Sequence, residues 1–387
     1  MASLHGRTDG SRHPTPARHA MLRTMTQPAS GRDTRMDVVK AFGVIAIILA
    51  HSEPPAFMTQ VVSTFYIAVF FFVSGYFYKD TYSDNLHLLA SRRLKSLYVP
   101  FVAWNLGYLA LHNAFFALNL YSSRTGYLGT TSRIYDARAF IGVALGVLTL
   151  RSTEQMAGAL WFVASLLTVF VLFGLVNWAS RRMSPRYSEH LTAIAALLLF
   201  AVGYANQQWL AWPMFLNTSL VAMVVFYAGR MYRRGEARIP ITLPLAGIAV
   251  AVMYFGRGTV NLGSPSPVGP VGMLLVAFAG IYSCLYVAAL LRANRLLGYL
   301  GRNSLAVIAT HFLAFKLVSL FYVQSHGLPI YMLAKFPVVT GAGNWWAVYF
   351  MCGILVPLLV VAGAKGAWAH VRDRFAAKPA GASDTTA

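Results

Sequence analysis

Lys40 and His51 are the ionisable pair whose spacing says most. They stand eleven residues apart in Arg35-Met-Asp37-Val-Val-Lys40-Ala-Phe-Gly-Val-Ile-Ala-Ile-Ile-Leu-Ala-His51. On a helix that spacing puts them within roughly 20° of one another on one face and about 16 Å apart along the axis. An ionisable group inside an apolar helix costs several kcal/mol unless it is paired or faces a cavity. A cation at one end of a stripe and an imidazole at the other could therefore hold a charged group and a reacting group at once. A neutral imidazole can take a proton from a hydroxyl or attack a carbonyl itself. The plain alternative is that Lys40 snorkels to an interface while His51 caps the outer helix end. Glu53, two residues on, is a candidate to orient the imidazole, or it forms an outer lip; Glu53 and Glu154 are the main outer-side carboxylates.

The elements that must position these groups follow from composition. Of 387 residues 57% are hydrophobic and 11% charged, with 32 Lys plus Arg against 12 Asp plus Glu. Soluble domains carry roughly 25% charged residues, and here the basic residues lie in short clusters between long apolar runs rather than on a solvated face as nucleic-acid binding requires. The fold class expected is an all-α polytopic helix bundle in the lipid bilayer, with no nucleic-acid partner. Stretches free of Asp, Glu, Lys and Arg run 54–78, 96–123, 155–180, 190–229, 239–256, 258–291 and 336–364. The stretch 190–229 is interrupted by Asn206-Gln207-Gln208 and Pro213, predicting two spans joined by a polar turn. With a first span and one across 303–321, ten are expected: 38–55, 59–78, 97–119, 159–178, 191–205, 213–229, 240–256, 269–291, 302–321 and 345–364. Ala139–Leu150 is too short to cross a core about 30 Å thick and is read as interfacial or re-entrant. This choice places 24 Lys and Arg on one side and 6 on the other, so the positive-inside rule puts both termini in the cytoplasm.

Residues 1–34 are expected to be a basic cytoplasmic tail, 35–366 the membrane domain and 367–387 a second cytoplasmic tail. The first segment lacks the apolar run of a secretory signal; a transit peptide, or a true start at Met21 or Met25, are the alternatives. Cys284 and Cys352 fall inside spans, so neither a disulfide nor a metal site is expected. No internal repeat is visible. Ser74-Gly75 suits close helix approach. Arg92, Arg93 and Lys95 form a cluster able to bind phosphates or simply to set topology. His311 lies near mid-membrane and is a candidate helper. His112 and Lys316 show no comparable surroundings. The loop 121–158 carries Tyr121, Tyr127 and Tyr135, which could stack on sugar rings or belong to a solvated linker, and 257–268 reads as a surface connection.

Read together, these motifs resemble the type 3 integral-membrane acyltransferases, whose hallmark is a basic residue, ten others and then His, as from Lys40 to His51. Supporting matches come in the family's order: Phe71-Phe72-Val73-Ser74-Gly75-Tyr76, Arg92-Arg93-Leu94-Lys95 ahead of Pro100, Leu160-Trp161-Phe162-Val163, and Gly301-Arg302-Asn303-Ser304-Leu305 leading to His311. The flavour is similar to the fucose 4-O-acetylase-like branch, which uses Lys at the basic position; Ala309-Thr310 replaces the usual aliphatic pair before His311.

The resemblance implies O-acyl transfer from cytoplasmic acyl-CoA, usually acetyl-CoA, to a hydroxyl of a cell-envelope glycan or lipid-linked oligosaccharide, in a bacterial inner membrane. On that reading Arg35, Lys40, Arg92, Arg93 and Lys95 would hold the phosphates and His51 would be base or acyl carrier. Trp161, Asn303 or Ser74 would be oxyanion donors, and Asp37 and Gly75 structural. The other reading weighed is a secondary transporter or flippase for lipid-linked sugars. The oligomeric state is left open.

Overall fold

The computed structural model describes residues 33–125, 132–209 and 214–376, and every regular element among them is helical. The expected tail 1–34 lies almost wholly outside the described residues, as do Tyr127, Pro213 and the end of the second tail.

Helix α1 is Thr34–His51, opened by Asp33, whose side chain accepts from the Arg35 amide. Its end is local chemistry. Ser52 leaves helical geometry and Glu53 takes a left-handed φ of 55° directly before Pro54-Pro55, so the span expected to reach residue 55 stops at His51. The expected span 59–78 is broken into α2 (Ala56–Val62) and α3 (Ala68–Tyr76). Between them the hydroxyls of Ser63 and Thr64 donate back to the carbonyls of Gln60 and Val61, the competition with helical bonding that such residues offer. There follow α4 (Thr81–Asp84), α5 (Leu86–Arg93), a π turn (Leu94–Tyr98), α6 (Val99–Ala110), α7 (His112–Ala117), α8 (Ala137–Leu148) and α9 (Trp161–Met183). The chain continues through α10 (Ser188–Trp209), α11 (Met214–Gly235), α12 (Leu243–Phe255), α13 (Gly269–Leu290), α14 (Arg295–Arg302), α15 (Ser304–Ser325) and α16 (Trp346–Ala376).

Among the described residues five segments are long and apolar enough to cross a bilayer: Gln155–Met183, Pro185–Gln207, Gly269–Leu290, Ser304–Ser325 and Gly343–His370. The other expected spans are covered by α1, α2 with α3, α6 with α7, α11 and α12, which are shorter, interrupted or more charged. Asn206, Gln207 and Gln208 are helical rather than a turn. Asn206 donates to Asn217 at 2.5 Å and Gln207 to the Leu262 carbonyl at 2.8 Å, so both side-chain NH2 groups find acceptors across the apolar packing. The connection 257–268 likewise turns inward, burying Val260 and Leu262. Helix α8 leaves Ile141 and Leu145 more than half exposed, an apolar face fit for lipid.

α1 sits at the centre, packed against α3, α13, α14, α15 and α16. Two glycine contacts set the closest approaches. A Cβ on Gly75 would fall on the Phe226 carbonyl and one on Gly229 on the Phe72 carbonyl, so α3 and α11 meet backbone to backbone. A Cβ on Gly301 would strike the Asp37 carbonyl in the same way, seating α14 on α1.

Candidate active site

His51, the last residue of α1, meets His311 of α15. Nδ1 of His51 lies 3.0 Å from Nε2 of His311, and Nδ1 of His311 lies 2.7 Å from the Ile308 carbonyl. The rings are nearly coplanar, 13° apart with centroids 5.2 Å apart, which matches an in-plane bond between two ring edges rather than a stack. The carbonyl can only accept, so His311 donates from Nδ1. Its Nε2 lone pair then accepts the Nδ1 proton of His51, and His51 is left with an unprotonated Nε2. Phe312 packs on both imidazoles, with centroids 4.9 Å from His51 and 4.0 Å from His311. Thr310 does not intrude: its hydroxyl donates to the Ala306 carbonyl of its own helix at 2.8 Å.

Glu53 does not orient His51. With α1 ended at His51, its carboxylate turns outward and accepts from Thr340 at 3.5 Å, so the neighbour in sequence gives way to a partner 260 residues away. The remaining sequence candidates separate clearly. Lys40 pairs with buried Asp37 at 2.8 Å. Arg35 is held by Asp33 at 3.0 Å and Glu236 at 2.9 Å, with the Tyr76 hydroxyl in reach of both carboxylates for its one proton, at 2.8 and 2.9 Å. Arg93 lies over the Phe170 ring at 3.7 Å, close to Tyr82. Arg92 and Lys95 are exposed. The five basic candidates are thus not one cluster: three have partners inside the protein.

Two oxyanion candidates are too far from His51. Gly43 touches Phe70 while Arg35 reaches Tyr76, so α1 and α3 run antiparallel. Ser74 is then four residues from that crossing in one direction and His51 eight in the other, a separation of about 18 Å along the axes. Asn303 is eight residues before His311, about 12 Å along α15, and is engaged with Lys365 at 2.6 Å and the Tyr299 carbonyl at 2.7 Å. Trp161 lies parallel to Phe215, 10° apart. Gly75 keeps the close-approach role expected of it.

A family model for the acyltransferase domain, type 3, matches residues 33–364. The chain belongs to the type 3 acyltransferase family. With its apolar helices it is an integral membrane protein, and membership supports membrane acyltransferase activity in general. Neither a curated protein nor a solved structure matches it at a significant level.

Sequence reasoning passed over two buried groups. His112 has Nδ1 at 2.5 Å from Glu154 and Nε2 at 2.9 Å from the Arg133 carbonyl, with Tyr135 stacked on its ring at 3.7 Å. Tyr121 donates to the same Glu154 at 2.6 Å. Tyr121 and Tyr135 therefore serve this cluster instead of forming an open platform. Lys316 is buried and donates to the carbonyls of Leu333, at 3.0 Å, and Lys335, fastening the segment that follows α15 back onto that helix. The available signal was scarcity: the chain has 12 Asp plus Glu, and Glu154 stands directly before the uncharged stretch 155–180, where a buried carboxylate needs a partner.

Proposed function

We propose that this acyltransferase moves an acetyl group from cytoplasmic acetyl-CoA to a sugar hydroxyl of an exopolysaccharide, lipopolysaccharide or lipo-oligosaccharide. In this reading it does so across a ten-span bundle of the bacterial inner membrane with both termini cytoplasmic. The observation that supports the reading is the His51–His311–Ile308 bond chain, which leaves a family-motif histidine with an unprotonated nitrogen on the ring side away from His311.

A sugar hydroxyl is a poor nucleophile until its proton is removed. His51 Nε2 takes that proton while the hydroxyl oxygen attacks the thioester carbonyl. The His51 imidazolium formed is steadied by its Nδ1–H bond to the His311 lone pair, much as a triad carboxylate steadies its histidine. When the C–S bond breaks, CoA leaves as the thiolate and recovers the proton from His51. His311 stays neutral throughout and is a positioning residue. The donor phosphates are assigned to the end of α1 opposite His51, where exposed Arg92 and Lys95 can turn to an anion, and Lys40, about 16 Å from His51, lies along the path of the extended cofactor.

The test is a comparison of envelope-glycan O-acetyl content between a deletion strain and complements carrying wild type or His51→Ala. Restoration by wild type and none by His51→Ala is expected; equal acetyl content in wild type and deletion would sink the proposal.

A further inference from the structure

Beyond His51 the outer face holds a cavity of about 330 Å³ whose floor is Ser52, the residue after His51, and whose walls include Glu53, Asn344, Trp346 and Tyr349. We infer that this cavity is the acceptor site and that it takes an uncharged sugar residue, with Glu53 bridging two neighbouring hydroxyls. The inference rests on the proposed function and adds the place and charge class of the acceptor.

Three observations carry it. First, Glu53 holds a left-handed backbone, φ 55°, directly before a proline, where that conformation is disfavoured twice over. Strain of this kind persists where surroundings impose it, often at ligand sites. Here its result is a carboxylate on the cavity wall. Second, that carboxylate is underused. Among the described residues its hydrogen bond is to Thr340 at 3.5 Å, beyond the usual 2.5–3.0 Å for O–H···O bonds, while two carboxylate oxygens offer about four acceptor positions. Third, Glu53 is the single charged residue among the described lining residues, and no Lys, Arg or His lines the cavity. A uronate, sialate or phosphorylated sugar would meet a like charge with no basic residue on the wall, since Lys335, the cation that acts on Glu53, stands outside the lining, whereas vicinal hydroxyls would donate to both oxygens. The volume falls at the small end of ligand pockets, about 300–1,000 Å³, which suits a sugar ring or two rather than a folded partner. Trp346 supplies an aromatic wall and Asn344 an adaptable amide.

The cavity is tied to the histidines by Ser52, which follows His51 in the chain and lines the cavity, and by packed rings. Tyr349 meets Phe315 at 5.6 Å and Phe315 meets His311 at 5.4 Å between ring centroids. Lys316, by holding the carbonyls of Leu333 and Lys335, anchors the loop that continues into the wall at Val338 and Val339.

The experiment uses the full chain in the deletion strain, complemented with wild type, His51→Ala, Glu53→Ala and Asn344→Trp. Asn344 is exposed, so a tryptophan there fills the cavity without entering the core. Readouts are envelope O-acetyl content, radiolabelled acetyl-CoA bound by membranes, and the identity of the esterified sugar. Glu53→Ala and Asn344→Trp should each lower O-acetylation about tenfold or more, the scale of losing hydrogen bonds to a charged group, with acetyl-CoA binding retained and the ester on an uncharged sugar. Wild-type O-acetylation in both variants while His51→Ala has none would overturn the acceptor site alone, as would esters confined to anionic sugars or loss of acetyl-CoA binding in both. Full O-acetylation by His51→Ala would instead remove the proposed chemistry.

Discussion

Among the described residues two histidine clusters stand apart, and they are built to opposite ends. At His51–His311 a donor–acceptor series runs one way, from His51 to His311 to the Ile308 carbonyl, and leaves a lone pair at its head. At His112 both ring nitrogens face oxygens, the Glu154 carboxyl group and the Arg133 carbonyl, so both are engaged inside the protein and neither is free to take a proton from a substrate. Glu154 in turn collects Tyr121, and its own amide bonds to Asn105. Fully satisfied polar networks rigidify; a network with one unused acceptor can react. The difference teaches that burial of a histidine marks neither role, while the direction of its hydrogen bonds separates them.

The largest expected effect tests the reactive side. His51→Ala should lower transfer by roughly 10²–10⁴-fold, the range for a general base, with protein abundance in the membrane unchanged by immunoblot. The next tests the structural side. Glu154→Ala strands a buried donor cluster, and breaking such a pair costs about 3–5 kcal/mol. Membrane abundance and thermal midpoint should fall, while activity per folded molecule is kept. An Glu154→Ala protein of normal stability but no activity would move this cluster into the chemistry and erase the contrast.

A smaller effect concerns the basic candidates. Arg92→Ala with Lys95→Ala should raise KM for acetyl-CoA several-fold with little change in kcat, because a docking contact is shared by ground and transition states; the steady-state rate at varied acetyl-CoA checks it.

The smallest effect is of pH on the ion pairs around Asp33 and Asp80. Burial pushes the Asp33 carboxyl up, but Arg35 and the Tyr76 hydroxyl outweigh it and leave it below the ordinary carboxylate range; Arg230 and Arg234 do the same for Asp80 against its burial. A carboxylate depressed in the folded state contributes fully above its unfolded value of about 3.9 and loses the contribution as pH falls through the folded value. The thermal midpoint in micelles should therefore be flat from pH 7 to 5 and decline below about 4. Stability that rises on acidification through that window would contradict the assignment.

What was legible in the sequence was local or cumulative. Lys40 and His51 share a helix, so their spacing is read without tertiary knowledge, and long apolar segments announce the membrane. The limits are equally physical. Glu53 looked like the partner of His51 because two residues separate them, yet the Pro54-Pro55 pair ends the helix and turns the carboxylate outward. His311 lies 260 residues from His51, and no periodicity encodes that meeting. Asn206–Gln208 read as a turn by polarity, but Asn217 and Leu262 supply partners that keep them helical. Arg35 and Arg93 read as phosphate ligands by charge, whereas Glu236 and the Phe170 ring engage them first.

The central claim is that His51 and His311 act as one unit, and a double-mutant cycle tests it most directly. Acetyl transfer would be measured for wild type, His51→Ala, His311→Ala and the double variant. Residues acting together are non-additive. The account predicts that His311→Ala costs about 10–100-fold in the wild-type background, as expected for loss of a positioning bond, and nothing further in His51→Ala. An equal factor in both backgrounds, or no loss in wild type, would contradict it.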